Sequence, residues 1–460
     1  MLANSLHARD IATLVHQQTD LHRHSTEGAV IIDRGEGCRV WDTEGREYIE
    51  AMAGLWCASL GFSERRLADA AHAQMLRLPY YHTFFAKGHE PAVELAERLL
   101  AIAPAGMERV LFQCSGSEAN DAAIKLVWYY NAILGRPEKR KIIGRIRGYH
   151  GNTIASVSLS GQPHMHNGFG LPLPGFVHTD NPNYYRFQND GETEEAFSTR
   201  MAENLEKLIL AEGPETVAAF FAEPVQGGGG AITPPRGYFV AIQAVLRKYD
   251  ILFIADEVIC GFGRTGNMWG TQTYDLQPDM ISCAKQLSAS YQPISALMIG
   301  AKVHAALIEG SKRHGTFGHG FTYGGHPVAC AVAIETLKIY EERDIVGHVR
   351  HVAPMFLDGL AALADHPLVG DVRGVGLIAG VELVADKATR APFPPTAGVG
   401  VRVMQACERH GLIVRAIGDR IAITPPLIID EAEIKELCRR FEAGLDTAWA
   451  EMQPMRDAAD

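Results

Sequence analysis

The chain has 460 residues, 47% of them apolar and 21% charged, which is enough apolar material for a large core and excludes the composition of a disordered chain. Asp and Glu number 54 against 43 Lys and Arg, and the resulting net charge of −11 disfavours a phosphate-backbone partner. Eight scattered cysteines without a CxxC pair, no apolar h-region in the opening MLANSLHARDIATLVHQQTD and no run of 18 apolar residues predict a cytoplasmic protein with free thiols and no membrane span.

Residues 30–50 alternate apolar and polar positions around turn glycines and predict short antiparallel strands. The middle of the chain then alternates buried-type runs with helical patterns: RVLFQC (109–114), a helix from 117 to about 130, KIIGRIR (141–147), VAAFFAEPV (217–225), a helix near 236–248, ILFIADEV (251–258), MISCA (280–284) and ISALMIG (294–300). Such alternation predicts an α/β fold with a mostly parallel sheet flanked by helices. A long helical pattern starts near 328, followed by VRGVGLIAGVELV (372–384), a loop at PFPPTAG (392–398) and a terminal helix near 430–450. These predict a large domain over 76–328 and a smaller α+β domain built from 1–75 and 329–460.

Three places could carry chemistry. Ser115-Gly116-Ser117-Glu118 joins a strand to a helix, where free N–H groups and the helix dipole could hold a phosphate; taken alone, Ser115 reads as an ordinary helix cap. Asp256 ends the apolar run ILFIAD and Lys285 follows MISCA, so both fall at the sheet edge where α/β ligands bind. A lysine in such a place is a candidate nucleophilic amine and an aspartate a partner for a protonated ring nitrogen; a snorkelling lysine and a capping aspartate are the structural alternatives. Other motifs lack their context. Gly261-Phe262-Gly263-Arg264-Thr265-Gly266 matches G-x-G-x-x-G, but no helical pattern follows, so it reads as a glycine loop rather than a dinucleotide fingerprint. Gly227–Gly230 is not a P-loop, and His22-Arg23-His24 and His164-Met165-His166 lack partners at metal spacing and read as surface or core histidines, so no metal is expected.

An anion site, a strand-end carboxylate and a strand-end amine are the parts that pyridoxal phosphate requires. The sequence resembles the class III aminotransferases of fold type I, and among them the ω-amine:pyruvate transaminases. The likeness runs through GLWCASLGF (54–62), YYHTFFAKGHEPAVELAERL (80–99), CSGSEANDAAIK (114–125), GYHGNT (148–153), AEPVQGGGG (222–230), ADEVICGFGRTG (255–266), HGFTYGGHPVACAVA (319–333) and VRAIGDRIAITPPL (414–427). It implies a large domain with a seven-stranded-type, mostly parallel sheet, and pyridoxal 5'-phosphate as cofactor.

Residue by residue, the resemblance implies that Lys285 forms the Schiff base and then moves the substrate proton, while Asp256 keeps the cofactor ring protonated. It places Ser115, Gly116 and Ser117 at the phosphate, Tyr149 and Val258 on the two ring faces, and His150 and Glu223 among the cofactor-binding positions. Thr322 would reach the phosphate of a neighbouring subunit, which implies a homodimer with shared sites or a tetramer of such dimers. Trp56, Phe84, Phe85 and Tyr149 would line the substrate pocket, and Arg415 would meet the keto acid's carboxylate. The implied reaction is a ping-pong transfer from a primary amine or ω-amino acid to pyruvate, giving L-alanine and an aldehyde or ketone with (S)-selectivity. The amine itself stays open among polyamines, β-alanine, taurine and arylalkylamines. Other class III reactions (aminomutase, racemase, decarboxylase) are the alternative. Gln286 departs from the glycine that most relatives carry after the lysine.

Overall fold

A seven-stranded sheet organises the chain in the computed structural model, which describes residues 5–457. Residues 1–4, the start of the stretch read as carrying no secretory signal, and residues 458–460 lie outside the described residues. Three antiparallel strands come first, β1 (Ile32–Glu36), β2 (Arg39–Asp42) and β3 (Glu47–Glu50), as the alternation over 30–50 predicts. The central sheet uses β4 (Met107–Gln113), β5 (Lys141–Arg145), β6 (Phe176–Thr179), β7 (Val217–Ala222), β8 (Leu252–Asp256), β9 (Met280–Cys283) and β10 (Ser295–Gly300). Its spatial order is β4-β10-β9-β8-β7-β5-β6.

The five neighbours from β9 to β6 pair in parallel, and β10 runs antiparallel to both β4 and β9. The reversal has a simple cause. A parallel return needs a crossover of a dozen or more residues, usually a helix. Between β9 and β10 the chain has only a short connection built around the 3-10 turn Lys285–Ser288, so it must turn back on itself.

Every residue of β7 and β8 is buried, as strands covered on both faces must be. Adjacent side chains alternate between the two layers. Phe221 packs with the helix Gly116–Ile133 through Ala122, Leu126 and Val127. Phe220 packs on the opposite face with Phe197 and Leu205 of the helix Glu194–Glu212 and Phe239 of the helix Tyr238–Lys248. Each fully buried phenylalanine contributes about 1.5–3 kcal/mol, so this alternation fixes the strand's register firmly.

The chain's two ends meet in the smaller sheets. The strands β11 (Val369–Val375), β12 (Ile378–Leu383), β14 (Arg415–Ala416) and β15 (Arg420–Ile423) form one, in the order β11-β12-β15-β14. The two-residue strand β13 (Leu412–Ile413) joins the N-terminal strands instead, pairing in parallel with β3 at Leu412–Ile49. The terminal helix Glu431–Asp457 packs on the helix Val399–Arg409, with Leu437 and Phe441 in the core beside Val403 and Cys407. Among the described residues no helix is long and apolar enough to cross a membrane.

Candidate active site

The parallel strands all end at one edge of the sheet, and the chain places polar residues directly after those ends. Ser115 follows β4, Tyr149 and His150 follow β5, Glu223 follows β7, Asp256 closes β8 and Lys285 follows β9. The antiparallel β10 begins at the same edge, preceded by Gln292, Pro293 and Ile294. Together these segments line a cavity of about 300 Å³. Nine of the expected residues are brought together in it: Ser115, Gly116, Ser117, Tyr149, His150, Glu223, Asp256, Val258 and Lys285.

Lys285 sits in the left-handed region at φ 46°, in the tight turn that reverses the chain. Its ammonium has no hydrogen bond or ion pair among the described residues, and burial lowers its pKa. A desolvated amine without a partner is poised to act as a nucleophile rather than as an ion. Gln286, the departure from the family pattern, is fully buried; its Nε2 donates to Ile259 O at 2.6 Å, tying the lysine turn to the loop after Asp256.

Asp256 is held from behind. Its Oδ2 accepts from Asn120 Nδ2 at 2.8 Å and faces His150 Nδ1 at 2.8 Å, while Oδ1 accepts from the Val258 N–H at 3.1 Å. Asn120 also donates to His150 O at 2.7 Å, so one amide fixes both partners. Neighbouring Glu257 turns away and accepts from the Gly270 and Thr271 N–H groups. Glu223 accepts from the Tyr149 and Gly227 N–H groups at 3.0 and 3.1 Å, and burial pushes its pKa up to about 7.

At the other end, Ser115 caps the helix Gly116–Ile133, its Oγ accepting from the Glu118 N–H at 3.2 Å. The capping alternative therefore holds for this hydroxyl. The N–H groups of Gly116 and Ser117 have no partner among the described residues and point out of the helix start, the usual arrangement for holding an anion. A side chain at Gly116 would meet Val258 at 3.0 Å, so glycine there lets Val258 close down on the cavity.

The remaining expected residues lie outside the cavity of this chain. Trp56 is buried beside it, at φ 66°, in a cluster with Val225 and Ile259. Arg415 is half-buried, without a hydrogen bond or ion pair among the described residues; burial lowers its pKa, and its charge reaches Tyr149 and Lys285. Phe84 packs toward Gly320, Phe85 is 80% exposed, and Thr322 is exposed with its carbonyl accepting from the Tyr80 hydroxyl at 2.8 Å. Asn120, Cys57 and Cys114 line the cavity without having been singled out from the sequence. Asn120 carries a usable signal: a polar residue on the apolar face of a helix, which burial forces to find a partner.

Unpartnered amides, a desolvated amine and a carboxylate braced with capacity to spare fit, respectively, a phosphate, a carbonyl and a basic ring nitrogen. This is the donor set of a fold type I pyridoxal-phosphate enzyme, and pyridoxal 5'-phosphate is the cofactor. The chain belongs to the class III aminotransferases: the family model Aminotransferase class-III matches residues 21–445. It is 51% identical over 424 residues to gamma aminobutyrate transaminase 3, chloroplastic, of Solanum lycopersicum, covering 92% of this chain and 82% of the relative. It is 52% identical over 422 residues to gamma-aminobutyrate transaminase 1, mitochondrial, of Oryza sativa subsp. indica, covering 92% and 81%. Among solved structures, the ω-transaminase of Pseudomonas jessenii in complex with PMP superposes with a TM-score of 0.96 at 52% identity, covering 98% of this chain and 99% of that one. A thermostable ω-transaminase variant, engineered for asymmetric synthesis of enantiopure bulky amines, matches at TM-score 0.95 and 51% identity, covering 97% and 99%. The protein is therefore a transaminase.

One expectation is overturned. The cytoplasmic reading rested on scattered cysteines and on reading no secretory signal in the opening residues, and these relatives are named chloroplastic and mitochondrial. Free thiols report a reducing environment, which those features do not confine to the cytoplasm.

Proposed function

We propose that this transaminase moves an amino group from a primary amine or ω-amino acid to pyruvate, giving L-alanine and an aldehyde or ketone, with (S)-selectivity for chiral donors. γ-Aminobutyrate belongs on the list of donors, because curated relatives at 51–52% identity carry its name. The observation that carries the reading is Arg415. A half-buried guanidinium without a protein partner, close enough for its charge to reach Lys285 and Tyr149, supports a receptor for a carboxylate that arrives with one substrate and leaves with the other.

When bound, pyridoxal phosphate supplies an aldehyde that bonds covalently to amines and a protonated ring that withdraws electrons from the attached carbon. The chain's residues do the rest. Lys285 would be the residue that bonds to the cofactor's aldehyde, and burial, which lowers its pKa, favours the neutral amine that can take a proton from the substrate carbon. Asp256, oriented by Asn120 and His150, would hold the proton on the ring nitrogen. Gly116 and Ser117 would hold the phosphate through their free N–H groups, and Tyr149 and Val258 would pack against the ring. Glu223 orients the Tyr149 backbone and lines the same cavity.

Trp56, Phe84 and Arg415 act on substrate choice. The engineered bulky-amine variant is substituted at a tryptophan, a phenylalanine and an arginine with the same spacing along its chain as these three residues. Phe84, Phe85 and Thr322 complete a site in trans in a homodimer: Phe85 and Thr322 are exposed and Phe84 half-buried, close in the chain to the exposed Tyr80, Tyr81 and Tyr323. The division into a large domain at 76–328 and a small one from 1–75 and 329–460 belongs to the same reading.

A donor panel tests the proposal. Holoenzyme is incubated with pyruvate and, in turn, γ-aminobutyrate, β-alanine, a polyamine, taurine and an (S)-arylalkylamine, and L-alanine is measured against carbonyl product. One alanine per carbonyl, with pyruvate preferred over other keto acids, is the expected outcome. Turnover only with a different keto acid would refute the pyruvate assignment.

A further inference from the structure

We propose that Asp10, His16 and His24 form a site for a late first-row divalent cation, zinc in the first place, that fastens the N-terminal segment. Asp10 lies in the helix Leu6–Thr13, His16 in the loop after it, and His24 in the helix Leu21–Glu27. The carboxylate stands between two imidazoles, with Oδ1 at 2.8 Å from His16 Nε2 and Oδ2 at 2.9 Å from His24 Nε2. The two rings lie 4.2 Å apart, and the three donor atoms are all within 4.8 Å of one another.

The surroundings give this cluster its weight. The first helix buries no residue, and the second buries only His24. Leu6, Leu14, Val15 and Leu21 are all exposed. Helices of eight and seven residues are not stable alone, and apolar packing supplies little here, so the polar hub is what ties the two helices to each other, while Gln18 and His7 reach His164 and Glu44 on the rest of the chain. Two imidazoles and one carboxylate suit zinc and its neighbours; calcium and magnesium take oxygen ligands. Donors at about 2.0–2.2 Å from a tetrahedral zinc stand about 3.4 Å apart, so small side-chain shifts turn the hydrogen-bonded arrangement into three ligands, with water in the fourth place. His22-Arg23-His24 shows no ligand spacing in the sequence because its partners come from a separate helix and loop.

The segment bears on the site. Gln18, between His16 and His24, meets His164 Nε2 at 3.3 Å, and His164 in turn lies within reach of the Arg415 charge. A fastened hub therefore holds the Gln18 loop against the wall nearest Arg415.

The test uses untagged holoenzyme, stripped with chelator, dialysed, and titrated with Co²⁺ while visible d–d absorbance is recorded by difference. One Co²⁺ per chain is expected, with bands of nitrogen and oxygen ligation rather than thiolate, displaced by Zn²⁺. His16→Gln and His24→Gln should weaken binding by about 100-fold or more, and Zn²⁺ should raise the melting temperature of the parent protein but not of either variant. The titration of the parent protein stands without the variants, should either fold poorly. Absence of stoichiometric binding, thiolate bands, or undiminished binding in a folded His16→Gln variant would each overturn the site and leave a metal-free hydrogen-bonded hub.

Discussion

Arg415→Ala separates the two halves of the reaction. The guanidinium is half-buried and has no partner among the described residues, so in the resting protein it has been drawn partly out of water without compensation. A pyruvate carboxylate would provide that compensation through a bidentate charged pair. Removing one partner of such a pair costs about 2–4 kcal/mol, which at about 1.4 kcal/mol per tenfold is a loss of roughly 30- to 1000-fold in kcat/KM for pyruvate. An arylalkylamine without a carboxylate has nothing to give the arginine, so its half-reaction should stay within a few-fold of the parent or improve. Single-turnover measurements of the cofactor's visible absorbance read the two halves separately. Arg415→Lys keeps the charge but loses the fork, and should fall between the parent and the alanine variant. Because the side chain supports no other residue, the alanine variant should melt close to the parent. Equal losses in both halves, or a large loss of stability, would make the arginine structural and refute the reasoning.

Lys285→Ala should abolish turnover and the covalent cofactor's absorbance, while equilibrium dialysis still detects cofactor held through Gly116, Ser117 and Asp256; turnover near the parent rate would remove the lysine from its role. Asn120→Ala takes away one of the two side chains that brace Asp256, and a lost hydrogen bond to a charged group predicts about 1.5–3 kcal/mol, seen as roughly 10- to 150-fold weaker cofactor binding or slower proton transfer. Glu382 is buried among Arg186, Arg373 and Arg420; burial raises its pKa, but the three guanidiniums outweigh that and hold it below its ordinary value. A depressed folded-state pKa stabilises the fold fully above the unfolded value of about 4.3, and that contribution is lost as pH falls through the folded value. Glu382→Gln should therefore destabilise by about 3–5 kcal/mol in urea unfolding at neutral pH, and by less in acid; an equal loss at both pH values would contradict the ion-pair account.

The parts of the fold legible in the sequence are those where one physical demand dominates. VAAFFA and LFIAD read as central strands because a strand covered on both faces has no polar option. The edge strand β6, FVHT, is short and only partly buried, so its sequence carries little periodic signal. The direction of β10 was equally hidden, since an apolar run does not reveal which way it points; the short connection around Lys285 decides it. In the site, Lys285 and Asp256 were legible because a charged residue at the end of a buried strand needs an explanation. Asn120 was less so: Ala123, Ile124 and Val127 put it on the apolar face of its helix, but its partner Asp256 is distant along the chain, and only the fold brings the two together. Phe84 and Phe85 show the converse limit. Their type alone suggests core packing and only the resemblance implies a pocket, yet in one chain Phe85 faces solvent, and an aromatic pair does not reveal which molecule it will pack on.

Charge accounting connects the site to its reaction. The protein finds partners for several buried guanidiniums: Arg145 donates to Glu223 O, Arg264 to Leu377 O and Pro425 O, and Arg420 meets Glu382. Lys285 and Arg415 are treated differently. Both are withdrawn from water, both have lowered pKa values caused by burial, and neither makes an ion pair among the described residues; the charges of Asp256 and Glu223 act to raise the Lys285 value, but burial outweighs them. A direct ion pair at Lys285 would stabilise its ammonium and blunt it as a nucleophile; an acid paired with Arg415 would compete with every incoming carboxylate. The nearby carboxylates are instead occupied by backbone N–H groups: Glu223 by Tyr149 and Gly227, Glu257 by Gly270 and Thr271. On the proposed reading, the amine of Lys285 would meet a carbonyl and the guanidinium of Arg415 a carboxylate, so a keto acid would engage both groups and a donor without a carboxylate only the first.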